Sequence, residues 1–556
     1  MARLKYNFTW KKYHRWFGLV LSVFMLVFCV SGIILNHREA FSGCEVSRKW
    51  LPASYHVKNF NNGVVKGTVV KNSGSLAISE GFSDSILVYG CAGVFLTDYQ
   101  LSTWQDFNAG LPKSIDERNV RHLVQARDGS LWCAALRDVY RYDENSQGWK
   151  KVELPGNEER IMDVALGKDS MVVVALTRSR VFTIVPFVQY GEIVKIGKSS
   201  SETYRVESKI IPAPKKYEPK TTLFKLVWHL HSGEFFGLPG KLVVDVIALV
   251  LIVLSITGIL LFILPYGIRR AKKLAAKARM KRLGKQFAWN MKWHNKIGYV
   301  TIVLTLWIAI TGMCLRPPLM VPLVLSKLPQ TVGEDGNVWQ DKLRAVRWDA
   351  VQGDWLVSTS EGFLRVDEDF SQAPKMLPDD ECPKLSPMGI TVWESDGKGG
   401  WIVGSFRGIY RWNPVNHSSN QILDYFTDKP SVETSMIPIS DNLVCGYSED
   451  FLGGKPLVFD FAKGVEDAKG QAVALCNDET KTSRNEDSMS DLICETAPMS
   501  LWNVALELHV GRCYSPFLGP LSDLFVFLSG LLITLVLLSG YIISHRRRKK
   551  AQARLK

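Results

Sequence analysis

The chain has 556 residues, 46% of them hydrophobic and 22% charged, with 68 Lys and Arg against 54 Asp and Glu. That length excludes one small domain, and a mean hydropathy of +0.01 excludes a disordered chain and is high for a soluble one. The net charge of +14 would suit nucleic acid only as a surface patch, and its distribution along the chain points elsewhere.

Residues 1–37 join a basic tail (Arg3, Lys5, Lys11, Lys12, Arg15) to an apolar run over 16–35, about the 20 residues a helix needs to cross a bilayer. Asn36, His37, Arg38 and Glu39 follow where a signal peptide would carry small residues, so the run reads as a retained span. Residues 38–225 form a first large polar segment. Residues 226–265 hold a second apolar run, 242–264, and 266–296 a loop with eleven Lys or Arg. A third run, 297–315, lies within 297–316, a second large segment spans 317–508, and a fourth run, 521–543, lies within 509–544. The tail 545–556 adds seven Lys or Arg, and none of the three basic stretches contains an acid. Basic loops resist translocation. Both termini and the middle loop are therefore expected in the cytoplasm, and the large segments in the periplasm of a bacterial inner membrane. Outside these stretches the chain is net acidic, so the expected partner is the lipid bilayer and not nucleic acid.

In the first large segment Asp84, Asp128 and Asp169 precede apolar strands at spacings of 44 and 41, and in the second Asp354, Asp396 and Asp441 do so at 42 and 45. Short alternating strands at this period predict propeller blades, with an irregular β-sandwich as the alternative. Three blades per segment are too few to close a ring. The expectation is therefore a membrane protein with a four-helix transmembrane bundle and an all-β, propeller-like extracytoplasmic domain built from two duplicated halves. Cys44, Cys91, Cys133, Cys382, Cys445, Cys476, Cys494 and Cys513 fall in the exported part, where either disulfides or free thiols suit them.

The duplication is explicit. A shift of 280 lays Tyr13-His14-Arg15-Trp16-Phe17-Gly18 on Trp293-His294-Asn295-Lys296-Ile297-Gly298, and Ser31-Gly32 on Thr311-Gly312. A shift of 278 lays Leu230-His231-Ser232-Gly233 on Leu508-His509-Val510-Gly511, and Asp245 on Asp523. Histidines near lipid are costly unless paired or ligating. Repeat symmetry puts His14 with His294 at the inner face and His231 with His509 at the outer face, as two b-type haems with bis-imidazole ligation require, with Gly18 and Gly298 making room. His37 is the challenger at the outer site and His545 at the inner one. Asp245 and Asp523 either orient a ligand imidazole or are solvated first-turn acids. Arg15, Arg38 and Arg512 pair either with haem propionates or with headgroups.

Tyr13 to Gly18, Ser31 to His37, and Leu230-His231-Ser232-Gly233-Glu234-Phe235-Phe236-Gly237-Leu238-Pro239-Gly240 resemble helices of the PepSY-associated transmembrane family. The resemblance implies a di-haem cytochrome of the ferric-siderophore reductase type, carrying electrons outward to ferric iron or an iron chelate. The chain departs from that pattern in Pro516 and Pro520 of the fourth helix and in its blade-like segments. No Walker loop or dinucleotide fingerprint is present, so electrons are expected from a quinol or from a separate cytoplasmic reductase. The competing function is a non-redox, membrane-anchored propeller that binds a ligand or partner protein, as a sensor or transport accessory.

Overall fold

The computed structural model describes residues 2–553 apart from 72–84, 102, 187, 190–191, 194–203, 334, 387–388, 416–417, 422–442, 452, 468 and 474–496. Two compact units interleave along the chain: Met1–Phe41, Lys220–Gln330 and Leu501–Lys556 form one, Ser42–Pro219 and Thr331–Ser500 the other.

The first unit is helical. Its main helices are α1 (Ala2–Asn36), α2 (Leu223–Ser232), α3 (Gly237–Lys273), α4 (Lys277–Val300), α5 (Ile302–Cys314), α6 (Leu501–His509) and α7 (Ser522–Ala553). Three stretches, Trp10–Asn36, Glu234–Lys273 and Arg512–Lys550, are long and apolar enough to cross a membrane. A fourth crossing exists only if α4 and α5 count together, because they are bent by 69°. The apolar run expected to span over 297–315 is thus divided between two helices. The Thr301 and Thr305 hydroxyls donate to the Ile297 and Thr301 carbonyls around the break, an arrangement that bends helices. Large apolar side chains such as Val20, Val246, Leu249 and Val303 are exposed, as lipid-facing positions are. Among the buried ones, Cys29, Ile247 and Leu251 pack with Ile308 and Leu537 of α5 and α7.

The second unit is built from small antiparallel sheets of sequential strands. Three come from the first polar segment, opening at Gly67–Lys71, His122–Gln125 and Ile161–Leu166. Three more, opening at Leu343–Asp349, Val392–Ser395 and Val444–Ser448, come from the second. Each apolar cluster joins two sheets. Leu87 and Val94 of the first pack with Leu123 and Cys133 of the second, and Trp132 and Val139 with Val164 and Phe182 of the third. Val174 and Leu176 pack with Val346 and Val357 of the fourth, and Leu356 and Phe363 with Trp393 and Trp412 of the fifth. Ile402 and Ile409 pack with Val444 and Val458 of the sixth. Leu457 and Phe459 of the sixth then pack with Ile86 and Val88 of the first.

Two of the repeated aspartates close strand turns with their side-chain carboxylates, which accept from the residues that follow. Asp128 accepts from the Ser130 amide and hydroxyl, and Asp396 from the amides of Lys398 and Gly400. Asp169 has φ +56°, and Asp354 opens a strand and pairs with Arg365; Asp84 and Asp441 lie outside the described residues. Disulfides are not found among the described cysteines: Cys44, Cys91, Cys133, Cys382, Cys445 and Cys513 are free thiols. Cys133 and Cys445 are buried in the apolar clusters, where a thiol behaves as a small hydrophobe.

Candidate functional site: two histidine pairs in the helical unit

His14 of α1 and His294 of α4 face each other with ring centroids 6.2 Å apart and planes at 71°. His231 of α2 and His509 of α6 do the same at 6.2 Å and 52°. The second pair is positioned by two helix ends of identical design. α2 stops at Gly233 with φ +80°, and α6 is followed by Gly511 with φ +86°, a left-handed conformation that glycine adopts without strain. Each histidine lies two residues before its glycine. At Gly233 a Cβ would also lie 2.3 Å from the Gly240 carbonyl oxygen, so the chain turns into α3 through a contact that only glycine permits.

All four imidazoles rest on the same kind of seat, a hydroxyl residue followed by glycine on another helix. His14 Nδ1 is 2.9 Å from Ser539 Oγ and 3.1 Å from the Val536 carbonyl of α7. His294 Nδ1 is 2.9 Å from Thr257 Oγ1 of α3, and His231 Nδ1 is 3.0 Å from Thr311 Oγ1 of α5. His509 Nδ1 is 2.9 Å from Ser31 Oγ and 3.1 Å from the Phe28 carbonyl of α1. In every seat the hydroxyl already donates its one hydrogen to a carbonyl of its own helix: Ser31 to Val27, Thr257 to Val253, Thr311 to Trp307 and Ser539 to Val536. It can then only accept from the imidazole. Nδ1 therefore carries the proton, and the lone pair of each ring is on Nε2.

The glycine after each hydroxyl lets the ring approach. A Cβ would lie 2.8 Å from His14 Cε1 at Gly540, 2.8 Å from His231 Cε1 at Gly312, 3.3 Å from His509 Cε1 at Gly32 and 3.6 Å from His294 Cε1 at Gly258. Gly18 and Gly298 instead face Val536 and Leu254 of neighbouring helices. Thr257-Gly258 and Ser539-Gly540 were readable in the sequence as a further repeat pair at a shift of 282, although the fourth run also carries Ser529-Gly530.

The other candidate residues lie elsewhere. His37 Nε2 is 2.6 Å from Asp245 Oδ2, so Asp245 orients His37 and neither His231 nor His509. His545 stacks on Tyr299 and Tyr541, and Asp523 is 3.7 Å from Arg316. Arg15 lies over the Phe262 ring and Arg38 over that of Trp502, while Arg512 is bound by both Glu507 oxygens. Among the described residues no group of three or more His, Cys, Asp or Glu is arranged to hold a bare metal ion.

A separate polar cluster sits in the β unit, on strands that open the second to fifth sheets. His122 Nδ1 is 2.6 Å from the Val164 carbonyl and 3.3 Å from Asp163 Oδ1, and Arg347 donates to Asp163 Oδ2 at 2.6 Å. Glu394 is 3.8 Å from His122 Nε2. Burial and Arg347 disfavour the imidazolium, but the contacts with Asp163 and Glu394 outweigh them and raise the His122 pKa. Burial alone would raise Asp163, whereas Arg347 and His122 hold it below the usual carboxylate range. Every group is paired, which reads as a structural network.

The PepSY-associated TM region family matches residues 3–264 and, a second time, residues 262–548. The chain belongs to this family. Its two matches cover the two repeats, so a PepSY-associated TM region recurs in tandem. No curated protein matches the chain. Among solved structures, it is similar to the extracellular domain of BT4673 from B. thetaiotaomicron, described once as a hybrid two-component system and once as a one-component system. The identities are 10% and 11%, with TM-scores of 0.32 and 0.34, over 72% and 78% of this chain. The chain spans about a third of each of those structures, 32% and 38%.

Proposed function

We propose that the two histidine pairs hold two b-type haems, His14 with His294 and His231 with His509, and that the protein carries electrons across a bacterial inner membrane. The acceptor in this reading is an oxidised species on the periplasmic side, ferric iron or an iron chelate. The donor is a membrane quinol or a separate cytoplasmic reductase.

The observation that carries the reading is the common geometry of the pairs. Imidazole–metal bonds are about 2 Å, so two rings on opposite sides of one iron stand roughly 6 Å apart centre to centre, and both pairs stand at 6.2 Å. Haem supplies one-electron exchange at its iron. The protein's part is to present Nε2: the hydroxyl and carbonyl acceptors hold each Nδ1–H, fix the ring's rotation and raise its basicity. On α1, His14 and the Ser31 seat of His509 are 17 residues apart, roughly 25 Å at the helical rise. That separation is near the thickness of the hydrocarbon layer.

Orientation follows from the three acid-free basic stretches, which keep both termini inside. The β unit is read as one six-bladed propeller shared by both repeats, supported by apolar clusters that link each sheet to the next and the sixth to the first. Purified full-length protein should contain two haems per chain by haemochrome assay. His14→Ala or His294→Ala should each leave one, and His231→Ala or His509→Ala should leave the other. Haem-free protein from haem-sufficient cells would refute the proposal and favour the binding-protein alternative.

A further inference from the structure

α3 and α4 run antiparallel and meet at two glycines: Gly267 lies against Leu283 and Gly258 against His294. Between those contacts the helices part around an open groove of about 520 Å³, with Leu260 and Leu264 of α3 and Trp289 of α4 in its walls and Lys285 at the end nearer the start of α4. The walls are apolar and face outward. Leu260 and Trp289 are 37% and 60% exposed, and both leucines belong to a stretch apolar enough to cross a membrane, so an occupant reaches the groove from lipid. Trp289 and the exposed Tyr266 are aromatics of the kind that sit at headgroup level, which puts Lys285 where a lipid phosphate would be.

Charge decides the class of lipid. Lys281 and Arg282 precede Lys285 by four and three residues, so the three cations share one side of α4, and all are exposed. The acids of the helical unit are Glu39, Glu234, Asp245, Glu507 and Asp523, all at the end that carries His231 and His509. Asp245, the last acid on α3, is 19 residues before Leu264, roughly 28 Å up the helix, and α4 has none. The counter-charge for the three cations therefore comes from outside this unit. A zwitterionic headgroup would bring an ammonium to the same place, whereas an anionic one brings phosphate without it.

We propose that this groove binds an anionic glycerophospholipid, one acyl chain against Leu260, Leu264 and Trp289 and the phosphate on Lys285 and Arg282. The site goes beyond the electron-transfer reading and does not depend on it. The test titrates full-length protein in detergent with dioleoylphosphatidylglycerol and, in parallel, with dioleoylphosphatidylcholine, and counts bound lipid by native mass spectrometry. Phosphatidylglycerol should bind saturably and more tightly than phosphatidylcholine. Arg282→Gln/Lys285→Gln should weaken it by about 30-fold, as loss of two headgroup cations does. Lys549→Gln/Lys550→Gln, which removes the same charge from the end of α7, should leave it unchanged. At one lipid per protein, a phosphatidylglycerol carrying a diazirine in its acyl chain should label wild type within 260–264 or 285–289, a readout that needs no variant to fold. No saturable binding, equal affinity for the two lipids, equal losses in the two double variants, or a label confined to other segments would overturn the site.

Discussion

At the residue scale, the seats make graded predictions. Alanine at Gly312 or Gly540 puts a methyl 2.8 Å from an imidazole carbon, whereas at Gly258 the gap is 3.6 Å, an ordinary contact. Gly540→Ala should therefore cost the inner haem and Gly312→Ala the outer one, while Gly258→Ala keeps both; haem content per chain checks this, and equal loss in all three would contradict the seat. Thr257→Val removes the acceptor for His294 Nδ1–H and should weaken haem retention at the inner site by about 10–100-fold, read as haem loss to apomyoglobin. His37→Ala and Asp245→Asn should leave both haems in place. In the β unit the His122 network makes a pH prediction. The raised His122 contributes stability below its unfolded value of about 6.5, lost as pH rises through the folded pKa. The lowered Asp163 contributes above about 3.9, lost as pH falls through its own. His122→Gln should accordingly flatten the decline in the melting temperature of the full-length protein between pH 6 and 9, and parallel curves would contradict the assignment.

At the element scale, what was legible depended on whether one strand of sequence carried the signal. The histidine pairs could be proposed because the 280 and 278 shifts align them within the chain itself. Which hydroxyl holds which imidazole could not be, since it depends on how helices are rotated against one another, and Ser31-Gly32 served only as a marker of alignment until His509 was found against it. Asp245 was expected either to orient an imidazole or to be solvated, and which histidine it meets, His37, 208 positions away, could not be read for the same reason. The break between α4 and α5 carries no proline, and the folding back of threonine hydroxyls on carbonyls around it recurs in unbroken helices, so sequence could not announce it. The turn after α2 was more readable, because a glycine two residues beyond His231 repeats at His509. Gly233→Ala would need to move the Gly240 carbonyl, so it should sharply lower the yield of folded protein and selectively strip the outer haem from what remains.

At the scale of the whole molecule, the repeats are complementary and not merely similar. Two of the six apolar clusters take residues from both halves of the chain, Val174 with Val357 and Phe459 with Ile86. A chain cut after residue 275 and expressed as two co-produced pieces should copurify, whereas each piece alone should aggregate on its exposed sheets. The aspartate spacing announced many short strands, but not how many sheets there are, because several turns are closed by aspartates outside that series, such as Asp460. Reporter fusions after residues 100 and 400 should both score as exported if the basic stretches set the topology, and a cytoplasmic signal at either would contradict it.

Whether these four imidazoles hold haem iron in pairs is read from the dithionite-reduced visible spectrum of the purified protein. If each haem iron were held by two of these imidazoles, the protein would show a sharp reduced α-band that carbon monoxide leaves nearly unchanged. A spectrum without haem, or a reduced band that carbon monoxide shifts in full, would contradict that pairing.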